Sequence, residues 1–218
     1  MAWMGPRVGA ASSPELLVLH GVRVLGGPSL VELADLYDLD YRRTHELLTS
    51  YHAMGWVQPS EFFGATSWYL SDAGTCAGER LAAQELDDTQ QRAVITAAHA
   101  DFRPLNVSHG QVCTDWQLRP TLDDRLAAND HTDRAWDARV VAELVDIAAG
   151  LDSVCERLTG VLDRFGVHTP RYRAALDRVR AGDGAWLNAP DRPSCQIVWI
   201  QLHEDLLATL GIPRGSDG

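Results

Sequence analysis

Arginine side chains offer the clearest binding chemistry in the sequence, and two of them, Arg42 and Arg43, are adjacent. A guanidinium group is planar and always charged, so it suits phosphate oxygens and the guanine edge. All 19 basic residues are arginine, since lysine is absent. Tyr41, His45 and Thr49 lie close by at helical spacing and add hydroxyl and imidazole groups. These residues either contact a phosphate-bearing partner or form an ordinary solvated helix face.

Two short helices joined by a tight turn are predicted to position this group. Ser29 stands three residues before Glu32, which is a capping-box pattern, and the helix that begins there extends to Tyr37. Asp40 is a good N-cap for a second helix, which Gly55 ends. The buried face of this second helix repeats through Thr44, Leu47, Leu48, Tyr51 and Met54.

A hairpin and a further helix follow in the sequence. Strands are predicted at 56–58 and 67–70, and Ser71 begins the next helix. The loop between the strands carries Glu61, Phe62 and Phe63 but has no basic residue. We expect the aromatic pair to be buried against the domain or a partner subunit, because exposed aromatic pairs usually have a partner.

This order of elements resembles the MarR-type winged-helix regulators. The resemblance covers residues 28–74 and rests on the stretches LADLYDLDYRRTHELLTSYHAMGWV and YLSDAG. It implies a winged helix-turn-helix whose second helix enters the DNA major groove. The implied DNA-binding residues are Tyr41, Arg42, Arg43, His45 and Thr49. The chain departs from the family at Glu46, where members commonly have a basic residue, and in its wing, which lacks arginine.

The fold class predicted for the chain is mainly α. Residues 1–12 are expected to form a flexible tail, and 13–86 the winged helix-turn-helix domain with its two-stranded wing. An all-helical C-terminal domain, 87–218, would serve dimerisation or effector binding. Helical patterns also predict a helix at 15–25 in the first domain. In the second domain they predict helices at 89–102, 103–117, 133–165, 171–181 and 194–210. The helix at 133–165 has a candidate break at Gly150.

The helical half contains candidates for a second site. An apolar effector pocket could be lined by Trp116, Trp136, Trp199 and His203, although aromatic residues at helical spacing more often belong to a core. Metal-binding atoms are carried by Asp115, Asn129, Asp130, His131, His203 and Glu204, but their spacing matches no metal motif, and we predict no metal. The four cysteines are far apart in sequence, which favours buried free thiols.

Composition limits the function classes. The net charge of −11 opposes nonspecific binding of nucleic acid over most of the surface. Catalytic motifs are absent, so we predict no enzyme and no cofactor, and the lack of a long apolar run or signal-peptide pattern predicts a cytoplasmic protein without membrane contact. The prediction is a homodimeric regulator that binds double-stranded DNA and responds to a small-molecule effector. The alternative is a winged-helix adaptor that binds protein; an enzyme or metal protein using His131 or His203 is least favoured.

Overall fold

The computed structural model describes residues 9–62, 64–213 and 215, and for Phe62 the backbone only. Within these residues the chain is mainly helical and has one two-stranded antiparallel sheet, as the sequence predicts. Two expectations fall outside the described residues in whole or in part: the tail over 1–8 and the burial of the Phe62–Phe63 pair.

The elements follow one another in a simple order. They are α1 (Pro14–Leu25), α2 (Leu30–Leu36), α3 (Tyr41–Ala53), β1 (Val57–Phe62), β2 (Ala65–Leu70), α4 (Asp72–Thr89), α5 (Arg92–Gln117), α6 (Arg134–Thr159), a 3-10 helix (Asp163–Val167), α7 (His168–Arg180), α8 (Ala185–Asn188) and α9 (Cys195–Leu210). In the hairpin, Val57 pairs with Leu70 and Phe62 pairs with Ala65.

Two predicted helix breaks and one predicted strand end are wrong. Helix α5 continues through Pro104, which is exposed, so water can bond to the carbonyl that loses its helical partner. Helix α6 has no break at Gly150; a Cβ there would lie 2.9 Å from Leu105 Cδ2, so this glycine permits close packing. Strand β1 extends through Pro59, because a two-stranded ribbon has open edges where a missing N–H is tolerated.

Contacts divide the chain into two compact units. Unit 1 comprises the described residues up to Thr96, together with Leu158–Val167 and the described residues from Gln201 onward. Unit 2 comprises Ala97–Arg157 and His168–Ile200. This division differs from a boundary at residue 86, because the end of the chain belongs with its beginning.

The first described residues also pair with a distant part of unit 1. The amide of Ala10 donates to the carbonyl of Val161 at 2.9 Å, and the amide of Asp163 donates to the carbonyl of Ala10 at 3.1 Å. Ala10 therefore pairs with residues 161–163 of the same unit rather than extending from it as a tail.

The core of unit 1 forms where α1, α2, α3 and the hairpin meet. The prediction that Leu47, Leu48 and Tyr51 are buried is confirmed. The Tyr51 hydroxyl donates to the carbonyl of Glu15 at 2.9 Å, and burial is the main cause that raises the pKa of Tyr51 to about 12. Met54, expected on the same face, is 59% exposed because α3 ends one residue before it.

No single helix among the described residues is long and apolar enough to cross a membrane. Helices α1 and α2 reach that length and composition only as a pair, and they meet at an angle of 113°. Most side chains of α1 are buried in the protein, which accounts for its apolar composition.

Candidate functional site

Helix α3 presents the predicted DNA-binding residues together on its outer face. The side chain of Asp40 caps its first turn by accepting from the amide of Arg43 at 2.8 Å. All of the predicted residues are exposed: Tyr41, Arg42, Arg43, His45 and Thr49. The side chain of Arg42 is the more open of the two arginines, at 88% exposure. The helix therefore offers a continuous polar surface.

Carboxylates lie among these arginines. Arg43 Nη2 donates to Glu15 Oε1 at 2.7 Å, and Glu46 lies 3.8 Å from Arg43 and 4.0 Å from Arg42. A backbone hydrogen bond and the bond from Arg43 hold the pKa of Glu15 below its usual value. Tyr41 donates its hydroxyl to Asp35. Exposed ion pairs contribute little to stability, so another anion can replace these carboxylates.

Hydrogen bonds tie the hairpin and α4 to the end of α3. The Ser71 hydroxyl donates to the carbonyl of Gly55 at 2.6 Å and accepts from the amide of Gly74 at 3.1 Å. A side chain at Gly74 would overlap the carbonyl oxygen of Trp56. The amide of Trp68 in β2 donates to the carbonyl of Pro28, just before α2, at 2.9 Å. The hairpin is thus fixed relative to both helices.

The residues predicted to line an effector pocket lie in different parts of the structure and have different partners. Trp199 is 3% exposed and stacks on Phe102 and His109, with ring centroids 5.0 and 4.2 Å away. Trp136 Nε1 donates to the carbonyl of Asp115 at 2.8 Å, and the ring of Trp116 lies 4.5 Å from that of His131. His203 belongs to unit 1, whereas the three tryptophans belong to unit 2.

Three polar residues at the end of the 118–131 loop bond to the residues that flank it. Asn129 Nδ2 donates to the carbonyl of Trp116 at 3.1 Å and to Asp137 Oδ1 at 2.9 Å. His131 has a φ of +57°, and its Nδ1 lies 3.1 Å from Asp137 Oδ2. Asp130 accepts from the amide of Thr132 at 3.0 Å. These bonds stabilise a tight turn. In the described part of the chain, no group of three or more His, Cys, Asp and Glu side chains is arranged to hold a metal ion.

Unit 1 also contains a buried charge network that the sequence analysis missed. His20 Nε2 lies 2.7 Å from Asp205 Oδ1, and Arg164 bonds to Glu85 and, at 2.9 Å, to the Thr209 hydroxyl. Burial lowers the pKa of His20, and the charge of Asp205 opposes that effect. The sequence signal that could have revealed this network is the acidic pair Glu204 and Asp205 within the otherwise apolar pattern of α9.

A second set of ion pairs in unit 1 involves Arg23 on α1. Its Nε donates to Glu204 Oε1 at 2.6 Å and its Nη1 donates to Glu79 Oε1 at 2.7 Å. Burial lowers the pKa of Arg23, but the hydrogen bonds to Glu204 and Glu79 outweigh it, so the pKa is raised. Glu204 is one of the residues that the sequence analysis considered as carrying metal-binding atoms. In the structure its carboxylate pairs with an arginine.

A cleft of about 310 Å³ lies in unit 2 between α5 and α9. Its walls include Asn106, His109, Cys113, Gln117, Gln196 and Trp199. His109 Nδ1 lies 3.7 Å from Cys113 Sγ, one helical turn away. Sequence reasoning singled out Trp199 but missed His109 and Cys113, whose spacing of four residues was the available signal. Of the cysteines, Cys113, Cys155 and Cys195 are buried as predicted, whereas Cys76 is exposed.

Comparison of the chain with protein-family models, with curated proteins and with solved structures found no match. The functional interpretation therefore depends on the geometry of this chain alone.

Proposed function

We propose that residues 13–86 form a winged helix-turn-helix that binds double-stranded DNA, and that the protein is a MarR-like, homodimeric transcriptional regulator. The observation that carries the proposal is the outer face of α3, where Arg42, Arg43 and His45 are exposed beside a hairpin fixed to the same helix. A helix of this kind, followed by a two-stranded wing, reads base edges in the major groove.

The connection between α2 and α3 supports this proposal. It is tight: Asp38 has a φ of +52°, and the amide of Leu39 donates to the carbonyl of Ala34 at 2.9 Å. Buried Leu33 and Leu48 join the two helices in one core. The second helix is thereby held rigidly with its polar face outward, which positions side chains for base contacts.

The small number of basic groups on this face determines how binding should depend on salt. Each phosphate contact contributes roughly one unit to the salt slope, so a dimer using Arg42 and Arg43 should have a slope of about 4 or less. Specificity should then come mainly from base contacts by these arginines and His45.

A selection of binding sites from genomic fragments, followed by gel shifts across a salt series, tests the proposal. Replacing Arg42 and Arg43 together by Ala should abolish specific binding without unfolding the domain, because both side chains face solvent. The matched control is the double variant Arg173→Ala and Arg180→Ala on α7, which removes two exposed arginines elsewhere. Unchanged affinity of the first double variant would show that α3 does not read DNA.

A second candidate, a protein-binding adaptor, is favoured by one specific observation. Arg43 is bonded to Glu15, and Glu46 lies within 4.0 Å of both arginines, so the local positive charge is largely compensated. This function predicts that the selection enriches no DNA sequence, with or without the alanine substitutions. Sedimentation of the purified protein separately tests the homodimer.

A further inference from the structure

We propose that the cleft between α5 and α9 in unit 2 binds a small uncharged ring compound that carries a carboxamide or lactam edge. The side chains expected to contact it are those of Asn106, His109, Thr114, Gln117 and Gln196. The proposal concerns a site in unit 2 and does not depend on whether α3 binds DNA.

A buried nitrogen in the wall of the cleft points to a ligand. His109 is 3% exposed, and its Nδ1 lies beside Cys113 Sγ, but Nε2 has no hydrogen-bond partner among the described residues. A buried polar group without a partner costs about 1–3 kcal/mol. Nε2 has almost no solvent-accessible surface, so a ligand that bonds to it would reach it through a small movement of the cleft wall, and that bond would remove the cost.

The chemistry of the walls selects an uncharged ligand. Four of the polar wall residues are amides or a hydroxyl, which do not ionise: Asn106, Thr114, Gln117 and Gln196. Burial lowers the pKa of His109 to about 3 and raises the pKa of Cys113 to about 11, so both are neutral at pH 7. A charged molecule would lose hydration there without meeting an opposite charge.

The arrangement of donors and acceptors selects an amide-like edge. A glutamine side chain offers a donor and an acceptor in one plane, which matches the paired donor and acceptor of a carboxamide or lactam. The volume of about 310 Å³ is at the lower end for ligand sites and suits a single ring with its substituents. The thiol of Cys113 stays protonated, so this site fits binding rather than nucleophilic chemistry.

The walls are already held in position. Trp199 Nε1 donates to Asn106 Oδ1 at 2.8 Å, and its ring stacks on that of His109 with an interplanar angle of 8°. Phe102 stacks on Trp199 as well, with ring centroids 5.0 Å apart. A site whose walls need only a small movement loses little conformational entropy on binding, which favours affinity for a small molecule.

Titration of the full chain with four probes, followed by NMR, tests the proposal. Nicotinamide and uracil should shift the signals of the His109 ring and of the Gln117 and Gln196 side-chain amides in a saturable way. In nicotinate a carboxylate replaces the carboxamide, and orotate is uracil with an added carboxylate; both should bind at least about tenfold more weakly. The proposal is overturned if neither neutral probe gives saturable shifts, or if the charged probes bind equally well.

Two variants assign the binding to this cleft. His109→Phe keeps an aromatic ring against Trp199 but removes Nε2, so the affinity for nicotinamide should fall about tenfold. Gln196→Leu should have a similar effect and provides the test if His109→Phe does not fold. The matched control is Gln111→Leu on α5, an exposed residue that bonds to Asp115 and not to the cleft. Unchanged affinity in the folded cleft variants would overturn the assignment.

Discussion

His20 Nε2 lies 2.7 Å from Asp205 Oδ1, although the two residues are 185 positions apart in the chain. Their side chains are 2% and 0% exposed, and the side chain of Arg164, also 0% exposed, lies 3.6 Å from the same carboxylate. Asp205 is therefore a shared partner for two buried groups, one on α1 and one on the 3-10 helix.

The shared carboxylate should be important for stability. Asp205→Ala leaves the Arg164 guanidinium buried with less compensation, and we expect the free energy of unfolding to fall by about 3–5 kcal/mol. Urea denaturation measures this change. Asp191→Ala, which removes an exposed partner of Arg192, serves as the control and should have little effect. Equal losses in the two variants would contradict the importance of the buried network.

The core beneath α3 gives a second prediction. Leu47 is 6% exposed and packs in the cluster with α1, so Leu47→Ala should lower the free energy of unfolding by about 2–5 kcal/mol. Leu126→Ala is the control, since that side chain is 74% exposed. Thermal or urea unfolding compares them, and a loss for Leu47→Ala of less than about half a kcal/mol would place the buried face of α3 elsewhere.

Two glycines of α4 should respond oppositely to alanine. A methyl group at Gly74 would overlap the carbonyl oxygen of Trp56, so Gly74→Ala should destabilise the protein by about 1–3 kcal/mol. At Gly78 the nearest atom to an added Cβ is Leu19 Cβ at 3.7 Å, an ordinary contact. Gly78→Ala should therefore stabilise it by up to about 1 kcal/mol through helix propensity. Melting temperatures of the two variants give the comparison, and a shift of the same sign would refute the packing argument.

The charge of Glu46 should oppose DNA binding. Its carboxylate lies 3.8 Å from Arg43 and 4.0 Å from Arg42, where it repels phosphate and competes for the guanidinium groups. Glu46→Gln should tighten binding about two- to fivefold at low salt, with little regard to sequence. Gel shifts should show no such gain for Glu156→Gln, the same charge change on an exposed residue of α6. Weaker binding of Glu46→Gln would instead give Glu46 a direct role in base contact.

The buried imidazole of His109 should make stability depend on pH. Because burial lowers its pKa from 6.5 to about 3, the unfolded chain binds a proton between these values and the folded chain does not. The stability that depends on the neutral imidazole is therefore fully present above pH 6.5. As the pH falls toward 3, the free energy of unfolding decreases by up to about 1.4 kcal/mol per pH unit.

Urea denaturation of wild type and His109→Phe across this pH range measures that contribution. The variant should have a shallower slope of stability against pH, because one titrating group is gone. Val107→Ala, at an exposed position of the same helix, removes no titrating group and should leave the slope unchanged. Parallel slopes for wild type and His109→Phe would show that the imidazole is not buried as described.

Local sequence signals were sufficient for α3 and its exposed face. The cap at Asp40 marks where the helix begins, and the apolar spacing of Leu47, Leu48 and Tyr51 determines which side is buried. The remaining residues of the helix must then face solvent, so the exposure of the group around Arg42 follows from local spacing alone.

Long-range contacts could not be predicted in the same way. The partner of His20 lies near the end of the chain, and no local spacing relates the two. The cleft depends on α5 passing beside α9, which brings Asn106 against Trp199. The continuity of α5 through Pro104 was also missed, because the cost of an interior proline depends on whether its side of the helix meets water.

The pairing of α1 with the last helix has a consequence for synthesis of the protein on the ribosome. At roughly 5–20 residues per second, the 185 positions between His20 and Asp205 take about 10–40 s to translate. Throughout that interval the nascent N-terminal segment lacks the carboxylate that its buried histidine requires. Unit 1 should therefore reach its native state only after Asp205 has been synthesised and has left the ribosome.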